Sequence, residues 1–429
     1  MFKTAGIIAE YNPFHLGHRY QMEETRKRTG ADFILVVMSG NFVQRGEPAI
    51  FEKSQRARMA LLCGADLVIE LPVSYAAGSA EDFACGAVSL LSGLNCVDYL
   101  SFGSEEGDLE PLKEAASMLS EESPRFSSIL QEKLRQGLSF PRARSLALEE
   151  SGLSPRSLSA ASSSNNLLGI EYLKALERFS SSVQPVTIQR KGSGYHDNSM
   201  PEDDASYASA SAIRRTAAAL CKHPAEKETG SLGTSILSEK ALSQIPEPLH
   251  DMYRSGSLLP VFPDDCSALL HYKLLSCLLE ETALSAFSDF SPELAQRLKK
   301  NALKACSFSE RAAYLKTRQY TYTRASRCLI HLLLNIRTQD MQKLRQDSFP
   351  SYARILGFKK SAAPLLKQIK EKTSIPVISR AAAAPEQLSG DLLRLWNQEI
   401  YASHIYHAIL QQKYGKSPQN EYSRPIVIL

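Results

Sequence analysis

His15 and His18 stand three residues apart with Gly17 between them, a spacing that can bind phosphate. On the first turn of a helix the two imidazoles share one face, where both can donate hydrogen bonds to phosphate oxygens. A helix start adds unpaired backbone N–H groups and the positive end of the helix dipole. Gly17 lets a flat ligand approach the backbone. The residues ahead supply the geometry: Gly6-Ile7-Ile8-Ala9 reads as a buried strand and Asn12-Pro13 as a turn into the helix. A capped helix with two incidental histidines is the plainer alternative. Placement directly after an apolar strand favours a nucleotide site.

Other residues could join that site. Arg190 and Lys191 follow a short strand, Pro185 to Ile188, and precede Gly192 and Gly194. Arginine's planar fork suits a phosphate clamp, and a solvated basic turn is the alternative. Ser209-Ala210-Ser211-Ala212-Ile213-Arg214 can hold phosphates at a helix start or simply cap the helix. His404 and His407 share a helix face with Tyr401, Ile405 and Ile409, which favours packing over metal ligation. No H-E-x-x-H pattern or carboxylate cluster suggests a structural metal, although magnesium can enter with ATP.

The second half carries a basic, aromatic stretch from Lys316 to Arg327 that contains Arg318, Tyr320 and Arg324. Interleaved arginine, threonine and tyrosine can hold an RNA backbone and stack on unpaired bases. Lys299, Lys300, Lys304, Lys343, Arg345, Lys359 and Lys360 add charge. A helix with a solvated basic face is the alternative.

The elements that must position these residues alternate. Continuous apolar runs at Phe33–Met38, Leu67–Pro72 and Val97–Phe102 read as buried parallel strands, with helices at Glu52–Leu62 and about Ala80–Leu91 between them. That order specifies a doubly wound α/β sheet, whose ligands sit at the carboxyl ends of the strands. Residues 108–160 read as a helical insertion and Ser157–Ser164 as a loop; Asn165 is the expected N-cap of a helix through Leu176. Residues 1–221 are therefore expected to form the catalytic domain, 222–245 a linker, and 246–429 a mainly helical, basic domain. In that last part Pro350–Phe358 interrupts the helical pattern, and Ile375–Ile378 is a strand candidate.

A chain of 429 residues is long enough for two cores, and a net charge of +4 does not by itself imply nucleic-acid binding. Eight scattered cysteines without a C-x-x-C pair suit reduced thiols rather than disulfides or zinc. No basic segment followed by an apolar leader, and no membrane-length apolar run, is evident, so a cytoplasmic protein is expected.

His15-Leu16-Gly17-His18 resembles the HIGH signature of nucleotidyltransferases, whose Rossmann-like domain transfers adenylyl groups from ATP. Ala9 to His18, Ser39 to Gly46, Gly64 to Pro72, Asn165 to Gly169, Gln189 to Asp197 and Lys316 to Arg327 together resemble the tRNA(Met) cytidine acetate ligase family. The resemblance covers most of the chain and is strongest before residue 215. It implies formation of acetyl-adenylate and acetylation of N4 of the wobble cytidine of elongator tRNA(Met), with no obligate protein partner. It also implies ATP contacts from Ile8, Ala9, Glu10, Tyr11, Asn12, Pro13, Phe14, His15, Leu16, Gly17, His18, Arg19, Tyr20 and Gln21, and from Gly103, Asn165 and Arg190. Asn165 is preferred to Asn166 for its place at the helix start. His15, His18 and Arg190 would stabilise charge on the phosphates. An adenylyltransferase of cofactor synthesis would need no RNA surface, and a non-catalytic RNA-binding protein would not need an intact H-x-G-H.

Overall fold

The computed structural model describes residues 2–120, 124–138, 140–191, 207–222, 235–416 and 418–429. The strands are β1 (Thr4–Ala9), β2 (Phe33–Ser39), β3 (Phe42–Val43), β4 (Glu47–Pro48), β5 (Leu67–Leu71), β6 (Tyr99–Ser104), β7 (Gln184–Gln189), β8 (Ala353–Phe358), β9 (Val377–Ile378) and β10 (Val427–Ile428). In the first half the helices are α1 (Leu16–Thr29), α2 (Lys53–Leu62), α3 (Val73–Ala76), α4 (Ala80–Gly93), α5 (Glu110–Ser120), α6 (Pro124–Arg135), α7 (Phe140–Glu150), α8 (Pro155–Ser162), α9 (Ser164–Arg178) and α10 (Ala210–Lys222). The second half adds α11 (Glu239–Leu242), α12 (His250–Arg254), α13 (Ser267–Leu279), α14 (Pro292–Lys300), α15 (Phe308–Leu315) and α16 (Tyr322–Leu334). It closes with α17 (Thr338–Gln346), α18 (Ala363–Lys372), α19 (Ala384–Gln387) and α20 (Gly390–Tyr414).

The main sheet runs β10-β8-β5-β2-β1-β6-β7, with β9 beside β8. β5, β2, β1, β6 and β7 are parallel, as their apolar runs require of strands covered on both faces. Along β2, Leu35 and Val37 pack into one core while Ile34, Val36 and Met38 pack into the other. Strand order reverses at β1, and the crevice between the ends of β1 and β6 is the switch point where such sheets bind ligands.

Several local expectations change. Ser157–Ser164 is not a loop: Ser154 caps α8, Pro155 occupies its first turn, and the helix runs to Ser162. Ser163 takes the cap position ahead of α9, so Asn165 lies inside its first turn. The interruption at Pro350–Phe358 contains β8, which pairs antiparallel with β5. That edge of the sheet is built from the second half of the chain, because the apolar flank of β5 needs a partner. Part of the expected linker, residues 223–234, lies outside the described residues. Beyond it Leu237, Ala241, Leu242 and Ile245 are buried in the core beneath α1.

The two halves are joined by buried charge. Lys53 Nζ lies 2.8 Å from Glu70, 3.2 Å from Glu421 and 3.4 Å from Glu399, and Arg354 bridges Glu70 at 2.8 Å and Glu421. Burial and the neighbouring Glu70 push the Glu399 carboxyl up to about 8, so it holds a proton that it shares with Glu70. With Glu399 neutral, the two cations face two carboxylates and the cluster is balanced. A second group nearby, Glu52, His407 and Glu421, brings three possible ligand atoms within 4.8 Å of one another, a grouping the sequence does not reveal. Arg424 pairs with Glu52 and already supplies positive charge there. Among the described residues no helix is long and apolar enough to cross a membrane.

Between the ordinary glutamate value of 4.5 and about 8, the unfolded chain has released the Glu399 proton that the folded chain keeps. Stability contributed at this position therefore falls as pH rises through that window. Glu399→Gln should flatten the fall, measured as urea unfolding midpoints across the same pH range; an unchanged slope would count against the shared proton.

Candidate functional site

The turn after β1 is held from three sides. Asn12 Oδ1 accepts the Ile50 N–H at 2.7 Å, Arg214 donates to the Asn12 carbonyl at 2.7 Å, and the Asn12-Pro13 peptide is cis. Arg56, fully buried, donates to the carbonyls of Glu10 at 2.5 Å, of Phe51 at 2.9 Å and of Gly40. One guanidinium thus fixes the ends of β1 and β2 together. The sequence hint was a lone arginine inside the apolar face of α2, which sequence reasoning passed over.

His15 is the N-cap of α1. Its Nδ1 accepts the Gly17 N–H at 3.0 Å, and the His15 N–H points at His18 Nδ1 at 3.3 Å, making a reciprocal capping box from two imidazoles. The rings lie 3.8 Å apart, and His18 rests against Tyr11 at 4.8 Å and Phe14 at 5.5 Å. A Cβ on Gly17 would stand 2.9 Å from His15 Cε1, so glycine is required by the cap itself. With each Nδ1 accepting, the proton of each ring stays on Nε2, which has no partner among the described residues. Burial, and then the Arg190 charge, push His15 down to about 3; burial, His15 and Arg190 lower His18. Both rings are neutral donors rather than cations.

The expected role of free helix-start amides is not what the structure shows. Leu16 N–H donates to the Gln244 carbonyl at 3.0 Å, Gly17 N–H to His15, and the N–H groups of His18 and Arg19 to the His15 carbonyl at 3.0 and 3.3 Å. Every amide of the first turn is already bonded inside the chain. Gln244, more than two hundred residues away, completes the set and also accepts the Ala208 N–H through its side chain at 2.8 Å. Anion binding at this turn therefore falls to the two Nε2–H groups and the nearby arginine.

The remaining expected contacts divide. Arg190 follows β7, its N–H donates to the Ser104 carbonyl at 2.9 Å, and its side chain crosses Gly103, where Cγ would lie 3.3 Å from an added Cβ. Gly103, Arg190, His15 and His18 therefore meet at the switch point. Glu10 ends β1 and accepts the Gln44 N–H at 2.9 Å; burial raises its pKa against the pull of Arg45 and Arg214. Tyr11, Pro13 and Phe14 are buried, and Ile8 and Ala9 lie in β1. Leu16, in the first turn, is partly buried; Arg19 pairs with Glu23 at 2.8 Å, and Gln21 reaches the Ser101 carbonyl at 3.4 Å. Lys191 sits 4.6 Å over the Tyr20 ring. The Asn165 side chain and residues 192–206 lie outside the described residues. Asn166 is structural: its Oδ1 accepts the Glu105 N–H at 3.0 Å and its Nδ2 donates to the Ala160 carbonyl at 3.1 Å.

Ser209 caps α10 through the Ala212 N–H at 3.1 Å, Ser211 Oγ accepts from Arg45 at 3.2 Å, and Arg214 pairs with Glu47 at 2.8 Å. This segment braces the β3–β4 hairpin. In the basic stretch, Lys316 and Arg318 are exposed. Arg324 and Arg327 instead converge on Asp289: the first donates to its carbonyl at 3.3 Å, the second to its carboxylate at 2.7 Å. Tyr320 Oη donates to Glu293 at 2.9 Å. The hairpin reaches this stretch directly, since a Cβ on Gly46 (φ +73°) would lie 2.3 Å from the Arg327 amide nitrogen.

Comparison with known proteins agrees with this layout. The HIGH Nucleotidyl Transferase family model matches residues 2–421. The chain is 39% identical over 431 residues to a tRNA(Met) cytidine acetate ligase of Acetivibrio thermocellus, covering 100% of both chains. It is 38% identical over 409 residues to one of Clostridium perfringens, covering 94% of each. Among solved structures it resembles Thermotoga maritima TmcAL in its apo form, with a TM-score of 0.87, 28% identity and coverage of 100% and 99% of the two chains. It also resembles TmcAL bound with alpha-thio ATP, with a TM-score of 0.84, 27% identity and coverage of 99% of each chain.

Because His15 and His18 are locked as neutral donors, neither ring of the ligand-free protein should titrate near the ordinary histidine value of 6.5. Side-chain NMR across pH 5 to 8, a window of about three units, should show constant shifts for both. A midpoint inside that window for either ring would break the assigned cap. Gly17→Ala should displace the His15 ring and weaken nucleotide binding by calorimetry while leaving helical content intact.

Proposed function

The chain belongs to the HIGH nucleotidyltransferase family and, within it, to the tRNA(Met) cytidine acetate ligases. On that premise we propose that it activates acetate with ATP as acetyl-adenylate and transfers the acetyl group to N4 of the wobble cytidine (position 34) of elongator tRNA(Met). AMP and pyrophosphate are released. The observation that carries this reading is the likeness over the full length, which includes both the double-histidine cap and the basic second half.

Adenylyl transfer asks a protein for position and for stabilisation of charge. An acetate oxygen bonds to the α-phosphorus as its bond to the bridging oxygen breaks, and pyrophosphate leaves with that electron pair. The Nε2–H groups of His15 and His18 suit donation to phosphate oxygens. Arg190 supplies the formal positive charge, its side chain passing close over Gly103. Neutral imidazoles suit this task, because two buried imidazolium ions beside an arginine would repel one another. The rings hold phosphate without gaining a proton, because each Nδ1 is already occupied as an acceptor in the cap and only Nε2–H is left to donate. Any magnesium would come with ATP, as part of that substrate. In the second step the cytidine amine attacks the acetyl carbon, the bond to AMP breaks, and N4 loses one proton. The acyl-adenylate is water-sensitive, so docked RNA also serves to exclude solvent.

The other predicted ATP contacts, from the Ile8 to Gln21 segment and Asn165, are carried in this proposal by the same likeness. Lys316 and Arg318 are the exposed cations of the basic stretch best suited to tRNA phosphates, while Arg324 and Arg327 act through their grip on Asp289. We place the reaction in the cytoplasm, where the eight free thiols would remain reduced.

His18→Ala should lower acetate-dependent ATP–pyrophosphate exchange by about 100-fold with circular dichroism unchanged; full exchange would sink the phosphate-site assignment. Removing both exposed cations, with Lys316→Ala and Arg318→Ala, should weaken tRNA binding. In filter binding it should also lower the slope of log affinity against log salt by about one to two.

A further inference from the structure

A cavity of about 430 Å³ lies apart from the double-histidine cap and belongs to none of the groups assigned above. Its walls are Ser74 of α3, Lys273 of α13, the C-terminal end of α16 at Leu334 and Asn335, and parts of α17 and α20. That volume falls within the range of pockets for small organic groups. Ser74 directly follows β5, and only β2 separates β5 from β1. At the usual strand spacing β5 itself is about 10 Å along the sheet from the strand that leads into His15.

The lining chemistry is mixed in an informative way. Tyr401 leaves 40% of its surface exposed while lining the wall, so a flat face is available to a ligand. Gln398 Nε2 donates to the Leu334 carbonyl at 2.5 Å, which fixes the amide and leaves its oxygen to accept. Asn397 is exposed beside it, with no hydrogen-bonded partner among the described residues. Three cations, Lys273, Lys343 and Arg394, face two carboxylates, Asp340 and Asp391. Asp391 is already engaged by Lys343 at 2.8 Å and lies 3.8 Å from Arg394. A stacking surface, amides that can read polar edges, and an excess positive charge form the set that recognises a nucleobase with its phosphate. Leu334, Leu344 and Leu395 add an apolar wall against which the flat face of a base can also rest.

Continuity points the same way. α16 starts inside the basic stretch and ends on the cavity rim, and its 13 residues span about 20 Å. The β3–β4 hairpin of the nucleotide half touches that helix near Arg327. We propose that this cavity receives an unstacked nucleobase of the RNA being acetylated, and that it contributes to the choice of RNA. This inference rests on the tRNA-acetylating reading above.

The test uses the full chain with tRNA(Met) transcripts and measures acetyl transfer at varied RNA concentration. Tyr401→Ala should raise the KM for RNA about tenfold, and Tyr401→Phe, which keeps the ring, should restore it. Asn397→Ala, at an exposed position that cannot unsettle the helix, should reduce the kcat/KM preference for tRNA(Met) over other tRNAs several-fold. Tyr272→Ala removes an exposed ring outside the cavity and serves as the control, with an unchanged KM. The inference is overturned if Tyr401→Ala and Asn397→Ala both leave KM and preference unchanged, or if Tyr401→Phe is as damaging as Tyr401→Ala. Saturable binding of a free mononucleotide, or of a peptide, that is lost with Tyr401→Ala while the RNA KM is unmoved would also overturn it. Absence of acetyl transfer by the unaltered protein would remove the premise itself, whereas transfer with unmoved variants would remove only the cavity's role.

Discussion

Everything at the switch point depends on the two histidines capping one another. A helix start normally holds amides in reserve, and here all of them are committed, one to a carbonyl from far along the chain. The commitment has a return in geometry. Each ring is fixed by an acceptor bond at Nδ1, so the tautomer is not left to chance and Nε2 keeps the only transferable proton. Preorganised donors of this kind are effective because they need no rearrangement when charge develops. Gly17 follows from the same bond, since the space its side chain would take belongs to His15.

Around this cap the protein tolerates an unusual amount of buried charge. Arg56 is surrounded by carbonyls, and Lys53 and Arg354 by three glutamates of which one stays protonated. Pairs like these contribute little net stability compared with apolar packing, yet breaking one leaves a charge stranded in a low dielectric. Their value here is positional. Arg56 joins the ends of two strands by their backbone, and the Lys53 cluster ties α2 and β5 to β8, α20 and the final turn. The catalytic face is held by contacts that tolerate only one arrangement of the second half against the first.

Much of this was legible from residue order. Continuous apolar runs announced β2, β5 and β6 because strands covered on both faces need no alternation, and the histidine spacing announced the pairing of the two rings at the start of α1. Most of what escaped notice shared one cause: distance in sequence. Nothing near Leu16 tells that Gln244 will satisfy its amide, and nothing near β5 tells that Ala353–Phe358 will pair with it. Ser157–Ser164 looked like a loop from its serines, but Ser154 with Pro155 starts a helix and the alanines sustain it. Nothing near Arg324 and Arg327 tells that Asp289, more than thirty residues earlier, will engage both.

The meeting of Gly46 with the backbone of Ser326 and Arg327 has a mechanical meaning. Main chain rests on main chain there, with no side chain between to act as a cushion. Two bodies joined in that way slide or separate only by losing the contact altogether, so the hairpin beside Glu10 and the helix rising from the basic stretch behave as one piece. A gate that admits bulky cargo and then shuts out water needs its pivot elsewhere in the molecule. The spacing between the Lys316–Arg318 stretch and the double-histidine cap is accordingly set by main-chain packing rather than by adjustable side chains.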